Sequence, residues 1–297
     1  MLFNMRYPIL LSNVTEYDNC FRYAPSSIKH SCYTIYIFSS DNTMAPSSVL
    51  VTGGGRGLGL EMIRQMLSSA SPPLHLIATY RNPATAAPLL DLASTNPSLT
   101  PLQLDVTAHE THPTLVSQVQ QVVGEQGLNL LVNNAGIGKM PRSLQSITPE
   151  EMMQHFQTNC VAPLFLSRSL LPLLKKAAGP DGKGKPKSAN RAAIINISAA
   201  LGSLGEVHST GPGMYPIRCS KAGLNMATAA LARDFDMMKT GILLAAIHPG
   251  WVRTDMGGPK APVAVEDSAA AILETISSFT EKNHGTFVTW DNRPLKW

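Results

Sequence analysis

Short apolar runs alternate along the chain with longer segments in which apolar residues recur at helical spacing. The run Val49–Val51 predicts a buried strand, and the apolar positions of residues 60–67 mark one face of a helix. Similar patterns predict strands over 74–79, 100–105, 128–132, 192–197, 241–247 and 286–290, and helices over 84–94, 115–123, 149–178, 216–238 and 265–279. Because such alternation implies right-handed crossovers, the pattern predicts an α/β protein with one doubly wound parallel sheet of about seven strands.

The first 43 residues differ from the rest of the chain. They hold eight of its eighteen aromatic residues and show no periodic helix. We expect residues 1–43 to be a poorly ordered extension, Met44 to be an alternative start, and residues 44–297 to form the folded domain. Mass spectrometry of the native amino terminus tests this, and a dominant species that begins well before Met44 would contradict it.

The composition narrows the function further. A chain of 297 residues with 44% hydrophobic content can bury one substantial core, and no apolar run is long enough to cross a membrane. Four cysteines without a CxxC pair suit reduced thiols and a cytoplasmic location. The net charge of +4 is concentrated in one loop region, so the sequence predicts neither a nucleic-acid nor a membrane partner. This region has a net charge of +5, so the remainder of the chain is near neutral; its charged residues are the positive Lys175, Lys176, Lys183, Lys185, Lys187 and Arg191 and the negative Asp181.

The glycine-rich turn over 52–59 lies between the first strand and the first helix. This arrangement points backbone N–H groups and a helix dipole at the turn, which favours an anionic phosphate. A Walker loop is excluded, because no Gly-Lys-Ser/Thr sequence follows. The G-x-G-x-x-G form is excluded because Leu58 and Leu60 occupy the positions for its last glycine. A tight loop without a ligand remains the alternative.

The residues Thr52, Gly53, Gly57 and Gly59 fit the pattern Thr-Gly-x-x-x-Gly-x-Gly. This turn resembles the cofactor turn of the short-chain dehydrogenase/reductase family. The sequence Asn-Asn-Ala-Gly at 133–136 and the segment over 248–254 resemble further motifs of that family, in the same order. The resemblance covers residues 48–297 and looks closest to C-factor and sniffer-type carbonyl reductases. It implies a Rossmann domain and hydride transfer between a nicotinamide dinucleotide and a small carbonyl or alcohol.

The end of the second strand bears on the choice of nucleotide. In dinucleotide folds an acid there holds the ribose hydroxyls, whereas an arginine accommodates a 2′-phosphate. Here Arg81 replaces the acid, and Arg56 lies inside the glycine turn, so the sequence favours NADP(H) over NAD. Two unrelated surface arginines are the alternative.

The resemblance also supplies the set of cofactor-binding positions. Asp105 matches the family's contact to the adenine edge, although a helix N-cap would suit an aspartate equally well. The expected cofactor residues are Thr52, Gly53, Arg56, Gly57, Leu58, Gly59, Arg81, Asp105, Val106, Asn133, Ala135, Gly136, Lys221, Pro249, Gly250, Val252 and Thr254.

The catalytic positions depart from the family pattern. In the family a tyrosine donates the proton, a lysine four residues later lowers its pKa, a serine polarises the carbonyl, and an asparagine completes a water relay. Lys221 and Asn159 match the lysine and the asparagine, but Ile217 and Ala199 stand where the tyrosine and serine are expected. An isoleucine cannot donate a proton.

Two nearby residues are the displaced candidates for these roles. Inside one continuous helix Tyr215 would point away from Lys221, but Pro216 favours a helix start that leaves Tyr215 just outside the helix. Ser198 is expected on the opposite face from Ala199, and Ser203 is a further candidate in the loop.

Two hypotheses follow from these residues. The first is an NADP(H)-dependent oxidoreductase acting on a small carbonyl or alcohol, and the second is a catalytically impaired, cofactor-binding pseudoenzyme that acts as a sensor or scaffold. In the resembled family the helices over 149–178 and 216–238 often form dimer contacts, so a homodimer is one expected assembly. We expect no metal site, because His109–His112 is one residue too short for the zinc motif, and a solvent-exposed helix start is the simpler interpretation.

Overall fold

Seven strands and seven α-helices alternate in the part of the chain that the computed structural model describes, residues 46–138, 143–179 and 186–297. The strands are β1 (Ser48–Val51), β2 (His75–Tyr80), β3 (Leu99–Gln103), β4 (Leu130–Asn133), β5 (Ala193–Ile197), β6 (Leu243–His248) and β7 (Thr286–Thr289). The helices are α1 (Gly57–Leu67), α2 (Ala87–Thr95), α3 (His112–Val123), α4 (Pro149–Phe156), α5 (Ala162–Ala178), α6 (Tyr215–Met237) and α7 (Val265–Ser278). The predictions for residues 1–43 and Met44 lie outside the described residues.

The strands form one sheet in the order β3-β2-β1-β4-β5-β6-β7, and every neighbouring pair is parallel. The predicted doubly wound parallel sheet is therefore confirmed. The strand order reverses between β1 and β4, so the loops after these two strands diverge to opposite sides of the sheet. In open α/β sheets ligands bind in the crevice that forms at such a reversal, outside the carboxyl ends of the strands.

The alternation of residues along β1 explains why the sheet is covered on both faces. Val49 and Val51 belong to one core cluster with residues of α1 and α7, whereas Leu50 belongs to a second cluster with residues of α3, α5 and α6. Val49, Leu50 and Val51 are completely buried. Three consecutive apolar residues in a strand point to both faces of the sheet, so they are buried only if helices cover both faces.

The long helical region predicted over 149–178 is interrupted by a feature that the periodicity did not indicate. A π-helical turn over Gln157–Val161 joins α4 to α5. Such single turns are rare and are frequently found at functional sites. Here the turn carries Asn159, which is completely buried.

The remaining differences from the predicted elements are small. The sixth strand begins at Leu243 rather than at Gly241, whose φ of +71° is incompatible with an extended strand. The solvent-exposed start predicted near His109–His112 is wrong for His112, which is buried and bonded through Nε2 to the carbonyl oxygen of Val106. None of the helices in the described ranges has the length and apolar character needed to cross a membrane.

Candidate active site

Hydrogen bonds join the loops after β1 and β4, which form the two sides of the crevice at the strand-order reversal. The Thr52 Oγ1 accepts hydrogen bonds from the backbone N–H groups of Asn134 and Ala135, at 3.0 and 2.9 Å. In return the Asn134 side chain donates to the carbonyl oxygens of Thr52 and Gly53. Thr52 therefore acts mainly as a brace that fixes the two loops relative to each other.

The glycines of the turn allow the backbone to come closer than any side chain would permit. Gly53 and Gly57 adopt φ values of +68° and +55°, which L-residues with a side chain rarely adopt. A Cβ on Gly59 would lie 2.4 Å from the Gly53 carbonyl oxygen. Leu58, the remaining predicted position in this turn, packs against the core cluster. The free N–H groups at the start of α1 therefore face an open backbone cradle of the kind that holds phosphate.

The two arginines predicted to select the nucleotide arise from adjacent points of the backbone. The Gly54 N–H donates to the Thr79 carbonyl oxygen at 2.7 Å, so the backbone segments that lead to Arg56 and Arg81 are neighbours. The Arg56 guanidinium forms an exposed ion pair with Asp255, with a nitrogen–oxygen distance of 2.8 Å. The charge of Arg81 acts on Asp105.

Asp105 closes a local turn and is not a helix N-cap, the alternative interpretation of this residue, because the next helical turn begins at His109 with Ala108 as its N-cap. Its Oδ1 accepts hydrogen bonds from the Thr107 backbone N–H and hydroxyl, at 2.9 and 2.7 Å. Burial opposes ionisation of Asp105, but the bonds from Thr107 and the charge of Arg81 outweigh it and lower the pKa of the carboxyl group. The Oδ1 of Asp105 is therefore engaged within the protein.

Four of the predicted cofactor residues surround one small pocket beside the crevice. Val106, Asn133 and Ala135 line it together with Thr52 and with residues of the π-helical turn and α5. The Asn133 side-chain nitrogen donates to the Asn196 Oδ1 at 2.8 Å, which ties β4 to β5. Its Oδ1 is buried without a protein partner among the described residues. The pocket has no room for a water molecule, so this part of the site is closed by the protein's own atoms.

The segment after β6 lies over the glycine turn. Gly250 has a φ of +85° and turns the chain, and Val252 forms a parallel bridge with Val263 that closes the segment into a loop. The Pro249 carbonyl oxygen accepts from Ser268 of α7 at 2.7 Å. The Thr254 Cγ2 lies 3.6 Å from the position that a Cβ on Gly57 would occupy. The segment therefore lies next to the glycine turn and forms one side of the crevice.

Two of the predicted catalytic residues converge on Gly136. A Cβ on Gly136 would lie 3.1 Å from the Asn159 Oδ1 and 3.7 Å from the Lys221 Nζ. The Asn159 side chain bonds both the N–H and the carbonyl oxygen of Ile137 at 2.9 Å and also donates to Ser220. The Lys221 ammonium donates to the carbonyl oxygen of Ile197 at 2.7 Å. The π-helical turn and α6 thus bring an amide and an ammonium to one point at the edge of the sheet.

The buried environment of Lys221 lowers the pKa of its ammonium group. Burial lowers the pKa of the ammonium to about 8, an effect that the neighbouring Cys160 partly opposes. The Cys160 thiol has a raised pKa because it is buried as well. A perturbed buried lysine in a crevice is typical of a functional site.

The prediction that Tyr215 lies outside the helix is wrong. Helix α6 begins at Tyr215, because Met214 takes a left-handed conformation with φ of +57° and serves as the N-cap. Tyr215 is half-exposed. Two residues of helix correspond to a rotation of about 200°, so Tyr215 and Ile217 lie on different faces of α6. Tyr215 is therefore out of register with the position expected for the family's tyrosine.

Ile217, at the position where the family's tyrosine is expected, lies close to Gly138. Its Cδ1 would lie 3.0 Å from a Cβ on Gly138, and the Met256 Sδ 3.1 Å from the same point. The wall of the crevice next to Gly138 is therefore apolar.

The serine candidates are engaged within the protein. The Ser198 hydroxyl is buried and donates to the Asn225 Oδ1 of α6. The Ser203 hydroxyl donates to the Lys296 carbonyl oxygen at 2.6 Å and accepts from the Glu206 N–H. Ala199, at the position expected for the polarising serine, is half-buried. Neither serine hydroxyl points freely into the crevice.

The sequence indicated the loop Asp255–Val265, with Met256, as the segment that covers the substrate, but not its contacts. Asp255 engages Arg56, Met256 forms the apolar wall with Ile217, and Asn225, which the sequence did not indicate, binds Ser198. These contacts join segments distant along the chain, and no local motif marks them. Across the described ranges, no group of three or more His, Cys, Asp and Glu side chains is arranged to hold a metal ion.

The sheet, the glycine turn and the lysine–asparagine pair define a dinucleotide-binding protein of the dehydrogenase type. The model of the short chain dehydrogenase family matches residues 47–263, and the chain belongs to that family.

Within the family the chain is similar to carbonyl reductases. It is 41% identical to the carbonyl reductase Sniffer of D. melanogaster, whose structure aligns with a TM-score of 0.80 over 85% of this chain and 100% of that one. The NADPH-bound carbonyl reductase from chicken fatty liver is 38% identical, with a TM-score of 0.80 over 86% of this chain and 95% of that one. The C-signal protein of Myxococcus xanthus is 29% identical over 170 residues, which are 57% of this chain and 93% of that protein.

Proposed function

We propose that the protein is an NADP(H)-dependent oxidoreductase that reduces a small carbonyl compound, or oxidises the corresponding alcohol, without a proton-donating tyrosine of its own. The observation that carries the proposal is the convergence of Lys221 and Asn159 at Gly136, with Ile217 beside Gly138 where the tyrosine is expected. The NADPH-bound relative from chicken supports the choice of cofactor.

The residues present fit this cofactor. Gly53, Gly57 and Gly59 place no side chain over the turn, so the backbone N–H groups at the start of α1 would be available to a pyrophosphate. Arg56 and Arg81 follow two neighbouring backbone segments, which a hydrogen bond from the Gly54 N–H to the Thr79 carbonyl oxygen joins, and would supply two positive charges for a 2′-phosphate. Lys221 would hold the ribose hydroxyls of the nicotinamide half, since its ammonium lies at the base of the crevice. When bound, the cofactor supplies the hydride.

The protein's own contribution to the reaction is then positioning. Asn159 fixes the backbone of Ile137 and so shapes the crevice edge. Ile217 and Met256 form an apolar wall beside Gly138 and favour an apolar substrate group. The proton has to come from solvent. Losing general acid catalysis costs about 10²–10⁴ in rate, while the gain from proximity is kept. We therefore expect slow turnover of reactive carbonyl compounds.

The alternative function is a cofactor-binding pseudoenzyme that acts as a sensor or scaffold. The observation that favours it is that the Ser198 hydroxyl is bonded to Asn225, so that both the acid and the polarising group are missing from the crevice. Loss of a second donor to the carbonyl costs a further 10²–10³, roughly, in rate. Under this alternative the protein binds NADPH and does not oxidise it.

A turnover assay with NADPH and a reactive dicarbonyl separates these functions. The test compares the unmodified protein with the double variant Ile217→Tyr, Ala199→Ser, and the control is Met237→Tyr at an exposed position of α6. We expect slow turnover by the unmodified protein and at least about tenfold faster turnover by the double variant. An unmodified rate that the double variant does not improve would show that the two positions are not defective. NADPH binding without any turnover by the unmodified protein would favour the pseudoenzyme.

A cytoplasmic location is part of the same proposal. Cys160 and Cys219 are free thiols, as expected in a reducing compartment. Fluorescence microscopy of the tagged full chain tests the location, and a signal confined to an organelle or to the medium would contradict it.

A further inference from the structure

The ion pair between Arg56 and Asp255 joins two parts of the crevice that are distant in sequence. Arg56 is the N-cap of α1, at the end of the glycine turn, and Asp255 lies in the segment after β6. The pair is exposed, with a nitrogen–oxygen distance of 2.8 Å. No side-chain bond of Arg56 other than this one is found among the described residues. Asp255 therefore forms an ion pair with Arg56, one of the two arginines that the proposed function assigns to the 2′-phosphate.

The position of Asp255 is fixed by its neighbours. Thr254 approaches Gly57 through its Cγ2, and its Oγ1 accepts from the Gly257 N–H at 3.3 Å. Trp251 donates to the Gly257 carbonyl oxygen at 2.8 Å, and the Gly258 N–H bonds back to the Thr254 carbonyl oxygen. These bonds make a tight turn over 254–258. Because the turn is held by local hydrogen bonds, the Asp255 carboxylate lies beside the Arg56 guanidinium.

We propose that Asp255 is a specificity-determining residue, whose carboxylate competes with the 2′-phosphate of the dinucleotide for Arg56. This inference rests on the proposed NADP(H) binding. A guanidinium has five N–H donors, and Asp255 engages Arg56 through its Nη1. A 2′-phosphate that uses this Nη1 has to displace the Asp255 carboxylate, whereas a nucleotide with a free 2′-hydroxyl leaves the pair intact. Asp255 therefore weakens binding of the phosphorylated nucleotide selectively and lowers the preference for NADP(H) over NAD(H).

The size of the effect follows from the exposure of the pair. Exposed ion pairs typically contribute little, because both partners remain hydrated and their side chains lose freedom on pairing. Removal of the carboxylate is therefore expected to tighten binding of a 2′-phosphorylated nucleotide by about two- to fivefold. Binding of a nucleotide without that phosphate should change by less than about 1.5-fold, beyond the general effect of one charge.

Calorimetric titration with adenosine 2′,5′-bisphosphate and with 5′-AMP tests the inference on the full chain. The variants are Asp255→Asn, Arg56→Gln and the double variant. The matched control is Glu125→Gln, which removes the same charge from an exposed ion pair with Lys176, in a different part of the fold. We expect Asp255→Asn to tighten the bisphosphate selectively, and Glu125→Gln to leave both affinities unchanged.

The double variant separates competition from simple charge repulsion. Competition requires Arg56, so Asp255→Asn should have no selective effect in the Arg56→Gln background. An equal gain for the bisphosphate in both backgrounds would overturn the inference and leave repulsion as the cause. Unchanged bisphosphate affinity in Asp255→Asn would overturn it as well. If neither probe nor NADPH binds the unmodified protein, the proposed function itself has failed.

Discussion

At the residue scale, Ile217 and Lys221 stand one helical turn apart on α6 and face the same crevice. The lysine is buried next to Asn159 at Gly136, and the isoleucine contributes an apolar wall beside Gly138. These two positions combine the lysine that we propose binds the cofactor with an apolar residue where the family's proton donor is expected. The protein can therefore bind a nucleotide without turning over a substrate at a normal rate, so nucleotide affinity and turnover have to be measured separately.

Loss of the Lys221 charge is predicted to weaken NADPH binding. Because burial lowers the pKa of this ammonium to about 8, it is charged at pH 7 and mostly neutral at pH 9.5. We expect Lys221→Met to weaken NADPH binding at pH 7 about tenfold or more, since a charge-assisted hydrogen bond is lost. Calorimetry at pH 7 and pH 9.5 checks this. Affinity should fall with pH in the unmodified protein and in the exposed control Lys282→Met, but not in Lys221→Met.

His248, at the end of β6, is predicted to make the fold sensitive to acid. Burial lowers its pKa to about 4, although Asp291 acts in the opposite direction. A histidine kept neutral by the fold binds its proton more readily when unfolded. Its contribution to stability is therefore fully present above pH 6.5 and is lost as the pH falls towards 4, up to about 3 kcal/mol.

Urea unfolding at pH 7.5 and pH 5 measures this effect. His248→Gln should lose less stability between the two pH values than the unmodified protein does. The exposed control His208→Gln should lose as much as the unmodified protein. Equal pH dependence in all three proteins would show that His248 is not the group responsible.

At the element scale, the glycine turn and the π-helical turn are the two local structures that make the site. The glycine turn could be predicted, because glycines in fixed spacing between a strand and a helix state the backbone geometry directly. The π-helical turn over Gln157–Val161 could not, since its residues continue the helical periodicity of the flanking segments. The strands β1, β4 and β5 were also predictable, because their residues are apolar on both faces.

The remainder of the site depends on contacts between distant segments. The helix start at Tyr215 depends on the left-handed Met214, and no residue type signals that conformation reliably. The engagement of Ser198 by Asn225 and of Arg56 by Asp255 joins residues 27 and 199 positions apart. Sequence patterns describe neighbours along the chain, so such pairings emerge only when the fold is known.

Gly59→Ala is predicted to damage the glycine turn. The added Cβ would lie 2.4 Å from the Gly53 carbonyl oxygen and 2.6 Å from the Asn134 Nδ2, so the brace between the two loops has to move. Overpacking of this kind costs about 1–3 kcal/mol. Urea unfolding and NADPH calorimetry should show lower stability and weaker binding. The control Gly211→Ala, where an added Cβ meets nothing within 4 Å, should change neither. A fully stable Gly59→Ala variant with normal NADPH affinity would contradict the assigned role of Gly59.

At the scale of the whole molecule, helices α4 and α6 present an exposed apolar face. Met153 and Phe156 of α4 and Met226 of α6 are exposed by 56%, 39% and 70%. The two helices pack closely at Gly223, where a Cβ would lie 2.9 Å from the Phe156 ring and from the Cys160 sulfur. A close-packed helix pair with exposed methionines and a phenylalanine suits a contact with a second copy of the chain.

A homodimer through this face is the predicted assembly. We expect the variant Met153→Glu, Met226→Glu to sediment as a monomer, because two buried charges per subunit would be desolvated. The control Met237→Glu carries its charge at an equally exposed methionine at the end of α6. Analytical ultracentrifugation distinguishes the species. A monomeric unmodified protein at micromolar concentration would contradict the prediction.

We expect the crevice between the loops after β1 and β4 to bind a nicotinamide dinucleotide and to prefer its phosphorylated form. Calorimetric titration of the unmodified full chain with NADPH and with NADH measures both properties. NADPH should bind at least about tenfold more tightly than NADH, because two guanidiniums meet a 2′-phosphate. Equal affinity for the two nucleotides, or no measurable affinity for either, would contradict this expectation.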